Sequence, residues 1–335
     1  MLQALDEQTE QSYFEYVRPD SADAIPLADP LKLDVAILDM NHSWPNLGHD
    51  SLVRVVAEAA RPFREELVSA GVMVRVVSFD VRRALLIPEP GRFAIHVGTG
   101  GPGHLDPRRN DGVSEWSQGI DEDGSWERPL WQLFDSILSS PDASLFAVCH
   151  TFGLLCRWSG VADAQLRGPE KGGKSSGMPL NVLSTTAQQH PWFSRFSREL
   201  PDGSHYRVLD NRLFDLVPGH PGQAGEFTPI GFERSEDGLD PLDALTMVEF
   251  ARDGEMPRMI GMNHHPEIID REHALAVMEE KQRRGEVSAQ WVEERVQTIG
   301  KELQGEYESQ SRTTSHYTLV APLRHQIRRQ LDARR

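Results

Sequence analysis

The sequence predicts an α/β protein: an open, mostly parallel twisted sheet with helices on both faces, followed by a C-terminal helical extension. Three observations carry that expectation. Short runs rich in β-branched residues, "LDVAILDM" (33–40), "VMVRVVSFD" (72–80), "RFAIHV" (92–97) and "SLFAV" (144–148), alternate with stretches whose apolar residues recur at helical spacing. Strands separated by helices pair in parallel, because the crossover returns the chain to the same end of the sheet. From Arg271 onward the runs disappear and amphipathic, charged helical patterns replace them.

Taken in order, residues 1–30 are polar, hold Pro19, Pro26 and Pro30, and show no sustained period, so they read as a leader lying on the surface. The run at 33–40 is followed by Leu52, Val55, Val56, Ala59, Phe63 and Leu67 on one helical face, then by Gly71 as a stop and the run at 72–80, which makes a strand, a helix and a strand. The third run ends in "GTGGPG". Residues 104–127, rich in Gly, Asp, Ser and Trp, read either as a lid over a site or as an ordinary surface loop. "PLWQLFDSIL" (129–138) reads as a helix leading to the fourth run, which ends at Cys149. Regularity then weakens across "GPEKGGKSSGMPLN" (168–181), and "HYRVLDN", "FTPIGFE", "LTMVEFA" and "RMIGM" read as further strands. In the tail, Val292, Val296, Ile299 and Leu303 share one face, as do Leu323, Ile327 and Leu331. The expected organisation is a leader (1–30), an α/β domain (31–270) and a helical extension (271–335), without internal repeats.

The 335 residues carry 51 acidic and 35 basic side chains, a formal charge of −16. That field repels phosphate backbones and anionic lipid, so nucleic acid and membrane surfaces are excluded as partners. The basic end "RHQIRRQLDARR" reads as a solvated helix terminus. The opening stretch lacks the regions of a signal peptide, and no apolar run reaches the roughly 18 residues of a membrane span. The expectation is a soluble cytoplasmic protein with two reduced thiols, Cys149 and Cys156.

Three separated stretches carry chemistry. In "AVCHTFG" (147–153) a cysteine stands where a strand turns into a helix, exposed at the carboxyl end of the sheet, with the positive end of a helix behind it favouring the thiolate. Cys156, among Leu154, Leu155 and Trp158, reads as a core residue. "GMNHHPE" (261–267) offers His265 as a base and Glu267 to orient it, with Pro266 between them. "TGGPGH" (99–104) has the glycines that let a backbone present N–H donors to an oxyanion. The doublet His264–His265 also invites a metal site with Glu267 or Asp270, but no third ligand stands at a recognisable spacing, and neither metal nor cofactor is expected. "KGGKSSG" (171–177) lacks the strand context and spacing of a phosphate-binding loop.

In this order the three motifs resemble those of the class I glutamine amidotransferase-like superfamily: a Gly-Gly-Pro-Gly loop, a Gly-x-Cys-x-Gly-x-Gln elbow and a late His-Pro-Glu. The likeness spans roughly residues 33–270. It implies a Cys149–His265–Glu267 triad, an oxyanion hole from the backbone N–H groups of Gly101 and His150, and a thioester intermediate. Gly100, Thr151, Gly153 and Asn211 are the candidate substrate-binding residues. The elbow departs from the pattern, with Ala147 and Thr151 at the glycine positions and Gly153 where amidotransferases hold substrate with glutamine. Asp210 and Asn211 stand where many of them have a Ser-His pair. The elbow is also similar to the "AICHG" elbow of ThiJ/PfpI-type peptidases, which makes His150 an alternative catalytic partner or a solvated capping residue. The resemblance therefore implies a cysteine enzyme acting on an amide C–N bond of glutamine or another small amide, with an ammonia-accepting partner or self-association through the C-terminal helices. The alternative is a non-catalytic binding or regulatory protein on the same scaffold.

Overall fold

The computed structural model describes residues 12–44, 46–114, 116–168, 173–218, 227–233 and 244–335. The first eleven residues of the expected leader, and Lys171 and Gly172 of the "KGGKSSG" stretch, lie outside the described residues.

Among the described residues fourteen strands follow in chain order: β1 (Phe14–Val17), β2 (Lys32–Asp39), β3 (Met73–Asp80), β4 (Ile95–Gly98), β5 (Ser144–Val148), β6 (Ala162–Leu166), β7 (Ser175–Gly177), β8 (Leu180–Leu183), β9 (His205–Arg207), β10 (Asp210–Arg212), β11 (Phe214–Pro218), β12 (Thr228–Glu233), β13 (Leu245–Asp253) and β14 (Met256–Met262). Ten of them form one sheet in the order β1-β3-β2-β4-β5-β14-β13-β12-β8-β9. The sheet is mixed. The ladders from β1 to β14 are parallel, and those from β14 through β13, β12 and β8 to β9 are antiparallel. Two small antiparallel pairs, β7 with β10 and β6 with β11, stand beside it.

The helices are α1 (Leu47–Ala60), α2 (Arg64–Ala70), α3 (Glu127–Ser139), α4 (His150–Ser159), α5 (Thr185–Gln189), α6 (Phe193–Glu199), α7 (Arg271–Arg283), α8 (Ala289–Glu302), α9 (Glu306–Ser315) and α10 (Ala321–Asp332). The single helix expected through Leu67 is interrupted by a 3-10 turn at Arg61–Phe63. Pro62 has no N–H to continue the ladder. Gly71, at φ 65°, then supplies the left-handed stop after α2.

The strand alternation sorts two cores. Val35, Ile37, Phe146 and Val148 face α1 and α10, whereas Ala36, Leu38, Leu145 and Ala147 face α3 and α4. Two readings of the chain ends change here. Phe14–Val17, expected within the leader, adds to β3 as the parallel edge strand of the sheet. The tail's apolar stripe does not wait for a partner chain: Leu323, Ile327 and Leu331 are buried in the chain's own core beside Leu52 and Val35. Their helical period is the same for an intramolecular contact as for the intermolecular one expected from sequence. Among the described residues no helix is long and apolar enough to cross a membrane.

Candidate active site at the carboxyl edge of the parallel strands

The parallel strands β2, β3, β4, β5 and β14 end at one edge of the sheet, and the segments following them build the site. Cys149 lies between β5 and α4 with φ 47° and ψ −100°, a conformation L-residues avoid. Such a residue costs about 1–3 kcal/mol and persists only where its surroundings hold it. Here they do. Ala147 pairs with Gly98 on one side and with Gly261 on the other, a row of small residues over which the first turn of α4 settles. A Cβ on Gly98 would lie 2.3 Å from Thr151 Cγ2, and one on Gly261 would lie 2.1 Å from Phe152 Cδ2. The Cys149 amide donates to the Met262 carbonyl at 2.7 Å. Thr151 donates from its amide and its hydroxyl to the Thr99 carbonyl, while Thr99 Oγ1 accepts from the Met40 amide. Elbow, glycine loop and the end of β2 are thereby locked together.

His265 enters from the turn after β14, where its amide donates to the Leu209 carbonyl at 2.8 Å. Its ring comes within 3.1 Å of the point a Gly100 Cβ would occupy, and the Cys149 sulfur lies 3.8 Å from that same point. Gly100 is thus a gap that lets ring and thiol approach. His265 Nδ1 hydrogen-bonds Glu267 Oε1 at 2.7 Å, and Glu267 is fully buried. Burial opposes charge on the His265 ring, but the Glu267 carboxylate and Cys149 outweigh it and hold its pKa well above the usual histidine range. Glu267 itself rests against the start of α1, since a Cβ on Gly48 would lie 2.8 Å from its Oε1.

Gly101 is held by backbone: a Cβ there would lie 2.4 Å from the Met40 carbonyl oxygen. The loop after it is pinned from beneath by Arg82, which donates to the Met40 and Pro102 carbonyls and pairs with the buried Glu122. Glu122 also accepts from Asn110 Nδ2 and Trp126 Nε1. Residues 104–127, whose composition left lid and surface loop open, are in this respect a strapped wall. His150 is buried, and that burial together with the Arg82 charge pushes its pKa well below the ordinary value. A neutral ring anchored to the Gly101 backbone fits a role in shaping the loop better than one in moving protons. His264 is likewise buried and pushed down to about 3. Among the described residues no group of three or more metal-ligating side chains comes together.

A cavity of about 470 Å³ opens over the thiol. Of the expected substrate-binding residues, Asn211 lines it and Gly100 abuts the thiol and ring, but Thr151 and Gly153 do not reach it. Thr151 is spent on Thr99. Gly153 lies under Leu105, whose Cδ1 would be 2.4 Å from a Cβ there, so a side chain, glutamine included, fits only if Leu105 moves. Asp210 is tied to Ser175 and Arg212. Residues not singled out from sequence also line the cavity: Trp44, Trp116, Lys174, Asn263 and Arg295. Trp44 and Asn263 follow strand ends, a position that marks sites in such sheets. Arg295 arrives from α8 by tertiary packing that no local pattern announces.

No protein-family model matches the chain, and no curated protein matches it in sequence. Among solved structures, a glutamine amidotransferase from Methylobacillus flagellatus is similar at TM-score 0.50 and 15% identity, over 88% of this chain and 95% of that one. The chain has the class I glutamine amidotransferase-like fold. A glutamine amidotransferase from Thermotoga maritima matches at TM-score 0.48 and 13% identity, over 90% and 99% of the two chains. The glutaminase domain of a Trypanosoma brucei CTPS with bound acivicin matches at 0.44 and 10%, over 71% and 87%. Likeness at such identities concerns the amidotransferase-like fold alone.

Proposed function

We propose that the protein is a cysteine-dependent enzyme that cleaves an amide C–N bond through a Cys149–His265–Glu267 triad. The observation that carries this reading is the strained backbone of Cys149, with the His265 ring close by and its Nδ1 bonded to buried Glu267. Glu267 keeps the Nδ1 proton in place, so Nε2 is the nitrogen left to exchange a proton with the thiol. The thiolate attacks the carbonyl carbon; a C–S bond forms and the oxygen becomes an oxyanion. The backbone N–H groups of Gly101 and His150 are its donors. Collapse breaks the C–N bond, and the amine leaves with the proton held by His265. Water then adds to the thioester with His265 as base, releasing the acid and the thiol. An amine in place of water would make the same site an acyl transferase.

The test is a screen of small amides against the wild-type protein and Cys149→Ser, read as released ammonia or amine and as intact mass. A mass increase equal to the acyl group on the wild type, absent from Cys149→Ser, supports the reading. If no amide yields product or adduct, including in the presence of candidate amine acceptors, the protein is a binding or regulatory member of the fold.

A further inference from the structure

The cavity over Cys149 has a charge pattern that speaks to what fills it. Its walls carry Lys174, Arg212 and Arg295 and, among the described residues, no carboxylate. Arg212 is already neutralised, because it pairs with Asp210, Asp215 and Glu233 behind the wall. Neither Arg295, whose nearest acid is its chain neighbour Glu294, nor the exposed Lys174 forms an ion pair among the described residues. Arg295 is half-buried on α8 with its guanidinium 3.8 Å from the centre of the Trp291 ring, a stack that fixes the plane of the fork and lowers the entropy lost on binding. Arg295, half withdrawn from water and without an ion-paired counter-charge, favours a ligand that brings one, and the exposed Lys174 adds a longer-range attraction. Asn263 adds a third group: its side-chain nitrogen is buried, has no hydrogen-bond partner and stands in the wall beside His265. A buried amide donor left open costs free energy that a ligand oxygen recovers.

We propose that this cavity selects an amide bearing a carboxylate and no ammonium group, with Arg295 and Lys174 holding the carboxylate and Asn263 Nδ2 donating to a substrate oxygen. Free glutamine fits less well, since its ammonium would face Lys174 and Arg295 with no carboxylate among the described lining residues. The space at Gly153 taken by Leu105 and the Asp210 carboxylate occupied by Arg212 point the same way. The helices after residue 270 thus supply a specificity residue to the site. This inference rests on the amide-cleaving reading for the kind of bond attacked, but the charge selection is tested without catalysis.

The probes are glutaramate, which has a primary amide and a carboxylate, L-glutamine, which adds an ammonium group, and butyramide, which has only the amide. Binding to the Cys149→Ser protein is read by calorimetry and by quenching of tryptophan fluorescence. Glutaramate is expected to bind at least about tenfold more tightly than either other probe, the scale of one charge-assisted hydrogen bond. Arg295→Ala and Lys174→Ala each weaken glutaramate binding about tenfold and leave butyramide unchanged, Arg295→Lys falls between, and added salt narrows the preference. Circular dichroism checks that each variant is folded. Glutamine binding as tightly as glutaramate, no glutaramate binding at all, or folded Arg295→Ala and Lys174→Ala variants that bind glutaramate like the parent protein would each overturn the proposal. The selective binding pattern without acyl adduct or ammonia from the wild type would instead sink the cysteine chemistry and leave the charge selection standing. Turnover of glutamine without preference for glutaramate would do the reverse.

Discussion

Replacing Glu267 by Gln isolates the contact that orients the candidate base. The His265–Glu267 bond is 2.7 Å long and the carboxylate is fully buried, so solvent screens it little. A hydrogen bond to a charged group contributes about 1.5–3 kcal/mol net. Glu267→Gln therefore lowers the proton affinity of His265 and moves its titration to lower pH. The sign of the stability effect follows. The pKa of His265 is raised in the folded protein, so its stabilising contribution is complete below the unfolded value of about 6.5 and is lost as pH rises through the folded value. Urea unfolding of wild type and variant should differ by about 1.5–3 kcal/mol more at pH ~6 than at a pH above the folded value found by titration. Changes in packing that do not depend on pH cancel in that comparison. Imidazole resonances followed by NMR give the His265 titration directly. An unchanged titration, or a stability gap that widens with rising pH, would refute the reasoning.

Three further outcomes follow from the same geometry. Gly261→Ala places a methyl 2.1 Å from Phe152 Cδ2, where about 3.5–4.0 Å is normal, so urea unfolding should show a loss of about 1–3 kcal/mol or more that Phe152→Ala in the same chain partly reverses. Cys149→Gly relieves the strained φ and ψ that Cys149→Ala keeps, and should be the more stable of the two by about 1–2 kcal/mol in thermal unfolding. Glu122→Gln leaves Arg82 buried without its counter-charge and should cost about 3–5 kcal/mol, with faster proteolysis of residues 104–127.

The parallel strands β2, β3, β4, β5 and β14 were legible because each is a short apolar run bounded by helical periods or turns. The elbow was legible because a cysteine at a strand-to-helix junction has few structural reasons to be there. The antiparallel half was harder to read, since strands such as His205–Arg207 are only three residues long and take their order from tertiary pairing. The N-terminal edge strand was hidden because "FEYV" has only four residues, none of them buried, and no flanking period. At the site, composition exposed the chemistry but not the enclosure. Nothing local marks Arg295 on α8 as facing the cavity, or Arg82 as the anchor beneath Gly101, because both depend on where distant backbone comes to rest. Gly153 illustrates the opposite case. Its departure from the family pattern was visible in the sequence, but the reason, the Leu105 side chain occupying its space, is a contact across 48 residues of chain.

The most direct measurement is the rate of iodoacetamide labelling of each cysteine in the native protein, resolved by peptide mass. Cys156 is fully buried, and burial pushes its thiol well above the ordinary range, so it should stay unlabelled near pH 7. Cys149, partly exposed in the cavity and paired with His265, should be labelled about a hundredfold faster or more, and His265→Ala should abolish most of that advantage. Equal and slow labelling of both thiols, or a Cys149 rate indifferent to His265, would contradict the account.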